Sequence, residues 1–446
     1  MIIEQHYDDE ILIGLLENSD EIARDKHVSA CRTCAGSLES LRGLTSGLHD
    51  QTVWDERELP EAPRRETKNA IRGFAAAVAA EDHEAEGIVR QLLAVDPDRR
   101  RVMLQHNPEW RTAGVVRKVL SAVDDVNYTA PQQAVDLSVL ATDIAESLDP
   151  TAYAGDTVMK LRATAWRERA YALYYVGSYT ESLAALDRVN ERLNRCALSE
   201  FDHARADLIR ALICAEIEKL DDGIVFARTA KTVFATYGDV RRQATAETIE
   251  AVLLMRARRY SEALAVQLAL ADHAGLDEMS RVSALNQAAY CYRELSCFEE
   301  AKALYAKTIP AFERLGLMTM RLIARWNLGR LMLAEGRFQQ SLALLSELRN
   351  EARDLGMAHD VALISVDAAE ALLMMSRQAE VADVCHSAME YFAQAGLAYT
   401  AGAMTALAYL QEAADRGTLT VATLHDARMF FEVLPKQPQL QFLRAS

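Results

Sequence analysis

The chain reads as an all-α protein: a small helical domain at the N-terminus, then a solenoid of helical hairpins. Three observations carry that expectation. A pair of small residues twelve positions apart recurs at Ala170/Ser182, Ala211/Gly223, Ala251/Ala263, Ala289/Ala301 and Gly329/Ser341. Strand-like alternation is scarce, while apolar residues return at helical spacing. Near the N-terminus, His27-Val28-Ser29-Ala30-Cys31-Arg32-Thr33-Cys34 groups one imidazole and two thiols within two helical turns.

At 446 residues, half of them hydrophobic, the chain is long enough for two or more domains. The boundaries read as a helical domain over 1–50, a linker over 51–64, a helical region over 65–150 leading into the solenoid, and the repeats over 151–446. No apolar run approaches the roughly 20 residues of a membrane helix, and Met1-Ile2-Ile3-Glu4-Gln5-His6 does not open like a secretory signal. A cytoplasmic protein without membrane contact is therefore expected. The net charge of −16 opposes direct binding to nucleic acid, whose phosphates reward Lys and Arg. It suits a partner with a basic face. Seven cysteines, an odd number with little paired spacing, fit a reducing compartment.

Taken in order, residues 8–17 read as a short helix with acidic residues at its start, where the helix dipole favours them. Ser19 or Asp20 can cap a second helix, Glu21 to Ala30. A third begins near Arg32, carries Leu38, Leu41 and Leu44, and stops near Gly47. Pro60 and Pro63 among charges mark the linker. Helices are then expected over Arg65 to Ala80 and Asp82 to Val95, ended by Asp96-Pro97. Arg99-Arg100-Arg101 reads as a solvated face. A helical pair follows, Ala113 to Val126 and Pro131 to Leu148.

From there the chain repeats. Trp166-Arg167-Glu168-Arg169-Ala170 followed by Gly177-Ser178-Tyr179-Thr180-Glu181-Ser182-Leu183 resembles a tetratricopeptide repeat. Tyr179, Tyr260, Phe298 and Phe338 stand three places before the second small residue; Leu220 takes that place in one copy. The period is about 40 residues against roughly 34 in the standard repeat, to be absorbed by longer helices or loops. Segments 361–395 and 398–434 read as degenerate copies, and Pro435 and Pro438 stop the last helix. Small residues let the two helices of a hairpin approach closely, and the hairpins must stack to bury their apolar faces. A tetratricopeptide-type α-solenoid with a concave groove is the expected result.

The histidine and cysteines suggest metal chemistry. Imidazole and thiolate are the ligands zinc prefers in a tetrahedral structural site. His27, Cys31 and Cys34 supply three; His6 is the preferred fourth and His49 the alternative. The competing reading is a reduced cysteine pair in an ordinary helical hairpin. His6, His27, Cys31 and Cys34, with the phrases YDDEILIGLL and HVSACRTCAGSLESLRGL, resemble the zinc-binding anti-sigma domain over about the first fifth of the chain. That resemblance implies a zinc-clipped helical fold that holds an extracytoplasmic-function sigma factor away from RNA polymerase. It also raises a redox switch at the cysteines, although a closed zinc site protects its thiolates.

Within the repeats, Arg167, Tyr171, Tyr174, Asn286, Tyr290, Arg293, Trp326 and Arg330 are expected to face the groove, as exposed Tyr, Trp and Arg commonly anchor partners. Packing against a neighbouring helix is the alternative for several of them. No phosphate-binding glycine loop, dinucleotide fingerprint or HExxH is present, so an enzyme is not expected. The functional expectation is a soluble anti-sigma-like regulator with a second partner or signal in its repeats. The alternative is a tetratricopeptide scaffold or peptide-sensing adaptor with a purely structural zinc hairpin.

Overall fold

A computed structural model describes residues 27, 28, 31, 34–36, 38, 39, 61–153, 156–435 and 437–442. The expected helix over 8–17, the cap at Ser19 or Asp20, Leu41, Leu44, His6 and His49 lie outside them. The chain divides into two compact units, Met1–Glu84 and Ala85–Ser446. Every regular element described is a helix, with no strand among the described residues. No helix there is long and apolar enough to cross a membrane.

The first described long helix, α1, runs unbroken over Glu61–Leu93, where two helices were expected. Pro63 is no obstacle, because its missing N–H falls in the first turn, where no intrahelical partner exists. The arginine run lies in a short helix, α2 (Pro97–His106), capped by Asp96, whose side chain accepts from the Arg99 N–H. Arg100 is half-buried rather than fully solvated: its Nε donates to the carbonyls of Leu92 and Val95, each at 3.0 Å, closing the end of α1.

Eight hairpins follow in the second unit: α3 (Ala113–Val126) with α4 (Pro131–Glu146), α5 (Thr157–Tyr175) with α6 (Tyr179–Leu193), α7 (Glu200–Glu216) with α8 (Leu220–Thr236), α9 (Val240–Arg256) with α10 (Tyr260–Asp272), α11 (Glu278–Glu294) with α12 (Phe298–Arg314), α13 (Met318–Ala334) with α14 (Phe338–Asp354), α15 (Ala358–Met374) with α16 (Val381–Ala395), and α17 (Thr400–Asp415) with α18 (Val421–Val433). The longer period comes from longer helices. From α11 to α15 each helix has 17 residues, and only short turns separate them.

The twelve-residue pairs sit where each hairpin is tightest. Ala170, Ser182, Ala211, Ala251, Ala263, Ala289, Ala301 and Ser341 are all fully buried. The two serines add a hydrogen bond across the contact: Ser182 Oγ donates to the Ala170 carbonyl at 2.6 Å, and Ser341 Oγ to the Gly329 carbonyl at 2.8 Å. A further pair, Ala369/Val381, is equally buried; its valine hid it from a search for small residues. The aromatic before each second anchor is the first residue of the second helix, as at Tyr179, Tyr260, Phe298 and Phe338.

All but the first of the turns from first to second helix place one residue in the left-handed region. Gly177 (φ 77°), Gly336 (φ 76°) and Gly417 (φ 68°) supply it in three copies, but Glu218, Arg258, Ser296 and Ser376 adopt φ of 58–60° in the others. An L-residue there is strained by roughly 1–2 kcal/mol, less the backbone entropy that glycine loses. Arg258→Gly and Ser296→Gly, both at exposed positions, are each expected to raise stability by about 0.5–1 kcal/mol. A higher urea midpoint with an unchanged slope checks this, and an unchanged or lower midpoint contradicts it.

Successive first helices also approach one another: α3 with α5, α5 with α7, α7 with α9, α11 with α13, and α13 with α15. Successive second helices do not come as close. Closer spacing on one side curves the stack toward that side, so the first helices form its inner face.

Candidate functional site

The N-terminal cluster is built on two consecutive helical turns. The Cys31 N–H donates to the His27 carbonyl at 2.7 Å, and the Ala35 N–H to the Cys31 carbonyl at 2.9 Å. This places His27, Cys31 and Cys34 on one side, their ligand atoms all within 4.8 Å of one another. His27 Nε2 lies 3.3 Å from Cys34 Sγ. Both cysteines are buried, alongside Val28 and Leu38. A tetrahedral zinc with ordinary bond lengths separates its nitrogen and sulfur ligands by roughly 3.5–3.8 Å, so the donor set and its spacing fit one such ion. Among the described residues no fourth donor completes the group.

The eight expected groove residues divide evenly. Arg167, Asn286, Arg293 and Trp326 are only 3%, 3%, 6% and 9% exposed, so they are not surface anchors. The physical reason is the close approach of first helices, which covers these positions. Arg167 donates to the adjacent Glu168 through Nε at 3.0 Å and an η nitrogen at 2.5 Å. Arg293 does the same with Glu294 and also reaches Asn327 Oδ1 at 3.2 Å. Tyr171, Tyr174, Tyr290 and Arg330 stay half-buried on the inner face.

Toward the C-terminal end, Asp367 of α15 is the hub. It is 1% exposed and accepts from Trp326 Nε1 at 2.6 Å. It pairs with Arg428 of α18, and Arg330 Nε lies 3.9 Å from it. Burial pulls the Arg428 guanidinium down to about 9, with Arg330 and Arg293 adding repulsion among the smaller contributions. Arg293 stacks over the Tyr290 ring at 4.6 Å. Tyr305 is fully buried close to these charges, and its hydroxyl has no hydrogen-bond partner. The sequence reading missed Asp367 and Arg428. The available signal was an aspartate in the middle of an otherwise apolar helix, Val361-Ala362-Leu363-Ile364-Ser365-Val366-Asp367-Ala368-Ala369.

Toward the N-terminal end the inner face is a tyrosine patch. The Tyr171 hydroxyl lies 3.2 Å from that of Tyr128 and 2.9 Å from that of Tyr175. The Tyr175 ring meets Tyr128 and Tyr171 edge-on, each at 5.0 Å, and Tyr174 at 5.4 Å. Burial, with the hydroxyl contacts, holds Tyr171 well above its ordinary pKa; burial foremost lifts Tyr175 to about 12. Tyr128 and Tyr175 were not among the expected groove residues.

No family model matches the chain, and no curated protein matches it. Solved structures of helical proteins do. The apo form of RapI is 14% identical with a TM-score of 0.43, covering 57% of this chain and 97% of its own. A Rap protein complexed with competence and sporulation factor is 15% identical with a TM-score of 0.44, covering 81% and 99%. The apo form of the quorum sensor NprR from B. thuringiensis is 11% identical with a TM-score of 0.47, covering 71% and 99%.

Proposed function

We propose that the chain is a tetratricopeptide-like adaptor that takes a peptide or extended protein segment along the inner face of its first helices. The observation that carries this is the set of accessible aromatic and charged side chains on that face: Tyr128, Tyr171 and Tyr174 toward one end, Tyr290 and Arg330 toward the other. Tyr and Arg combine apolar contact with directed polar contact, which is why they dominate binding hot spots. Binding rather than catalysis is the activity proposed. Nucleic acid is not a proposed partner, because the net charge of −16 repels phosphate. Seven cysteines, an odd number with little paired spacing, suit the cytoplasm as the place of action. Affinity capture from the native cell tests this reading. Wild-type protein should retain a partner that Tyr171→Ala/Arg330→Glu loses while remaining folded; equal retention by both would contradict it.

In the same reading His27, Cys31 and Cys34 hold one zinc, with His6 the preferred fourth ligand. The ion would be structural, its thiolates closed to attack. Metal analysis should find one zinc per chain, lost in Cys31→Ser/Cys34→Ser. Stoichiometric zinc in that variant would remove the site.

A second reading, an anti-sigma regulator, is favoured by one observation: three of the four residues matching that ligand pattern converge in space. It expects the full chain to co-purify with an extracytoplasmic-function sigma factor and to lose it when the two cysteines are replaced. Retention of the sigma factor by the cysteine variant would exclude a zinc-dependent grip.

A further inference from the structure

The tyrosine patch has unbalanced charge beside it. Tyr128, 70% exposed, follows one turn after Asp124 and close on Asp125, both exposed and without an ion pair among the described residues. On α5, Tyr171 comes one turn after Arg167 and Glu168. Arg167 is committed to Glu168, and Arg205 lies 3.6 Å from that same carboxylate. Arg167 and Arg205 both favour the charged form of Asp124 from a distance, but neither forms an ion pair with it among the described residues, and they do not outweigh its burial. Its carboxyl is pushed up to about 6, first by burial and next by the Glu168 charge. Asn127, between Asp125 and Tyr128, is 1% exposed and its Oδ1 has no hydrogen-bond partner. Tyr171, Tyr174 and Tyr175 all retain accessible surface.

Aromatic faces beside under-neutralised carboxylates fit one kind of group, a desolvated cation. The ring quadrupole attracts the charge, the carboxylates fix its sign, and the ring area covers an aliphatic stem. An anionic segment would meet Asp124, Asp125 and the chain's net charge of −16. A neutral apolar segment would leave both aspartates desolvated without compensation.

We infer that Tyr128, Tyr171 and Tyr175, with Asp124 and Asp125, form a docking site for a peptide segment carrying lysine or arginine. This deepens the adaptor reading and rests on it: the patch is the end of the inner face that selects a basic residue.

The test uses the full-length chain and labelled nine-residue peptides of alternating lysine and glycine, glutamate and glycine, or serine and glycine. Anisotropy is read at low and moderate salt. The lysine peptide should bind and the other two should not. Tyr128→Ala should weaken it roughly tenfold, the size of a partly desolvated cation–π contact, and Tyr128→Phe should restore most of the loss. Asp124→Asn/Asp125→Asn should weaken it at least as much, whereas Asp187→Asn/Asp222→Asn, an equal charge loss on second helices, should change it less than twofold. Equal weakening by both double variants, or none with Tyr128→Ala, would mean diffuse attraction and overturn the site. Binding of the serine peptide as tightly as the lysine peptide would overturn the cation. In either case a partner captured through Arg330 would leave the adaptor reading standing; loss of all inner-face binding would remove both.

Discussion

Asp367→Ala is expected to cost about 3–5 kcal/mol, the usual penalty for stripping one partner from a buried ion pair. The expense arises mostly from Arg428. Its guanidinium sits in a site that already opposes charge, with Arg330 and Arg293 nearby. Asp367 is the carboxylate that compensates it and that also accepts from Trp326. Removing the carboxylate leaves a buried cation and an indole N–H without their acceptor. Because a solenoid need not unfold in one step, the effect is read locally. Hydrogen exchange should lose protection over 358–433 while 157–256 is spared. Asp367→Leu/Arg428→Met should recover most of the loss, since replacing both members of a buried pair is often close to neutral. A double variant as unstable as Asp367→Ala would show that the pair is not the cause.

Gly223→Leu is the second large effect, at about 1–3 kcal/mol from overpacking. A Cβ at this position would stand 2.9 Å from Cys214 Cβ and 3.1 Å from both Leu253 methyl carbons. Cys214 belongs to the partner helix of the hairpin and Leu253 to the next first helix, so the added side chain would strain two contacts at once. Cys214 Cβ is fixed to the backbone and cannot swing aside. Gly329 is more forgiving, because its nearest neighbour is the end of Leu345 at 3.1 Å. Gly223→Leu should therefore lower the unfolding midpoint more than Gly329→Leu. The reverse order would mean that the α7–α8 hairpin opens easily.

These two effects also mark what the sequence did and did not disclose. The repeats were legible because close helix approach imposes a spacing: Ala170 and Ser182, or Gly329 and Ser341, have to be small to meet at all. The pair Ala369/Val381 was not, because a valine fits where the hairpin is slightly more open. The inner face was only half legible. Tyr171, Tyr174, Tyr290 and Arg330 have the residue types of binding anchors and retain exposed surface. Arg167, Arg293 and Trp326 have the same types, but each finds an acceptor within the stack, at Glu168, Glu294 and Asp367. The two arginines pair with the very next residue, a signal the sequence did carry, whereas the acceptor of Trp326 lies on another helix, 41 residues away at Asp367, where a one-dimensional pattern cannot place it. The clustering of His27, Cys31 and Cys34 was legible because two consecutive helical turns enforce it. A fourth ligand from a distant segment has no such local rule.

Binding along the inner face is tested most directly by site-specific photocrosslinking in the native cell. A photoreactive residue is placed at Tyr171 or Arg330 on first helices, and at Val225 or Leu268 on second helices, where both side chains are exposed. If a peptide or protein segment lies along the first helices, Tyr171 and Arg330 give the same adduct, identified by mass spectrometry, and Val225 and Leu268 give none. Adducts from Val225 or Leu268 alone, or the same yield from all four positions, would contradict it.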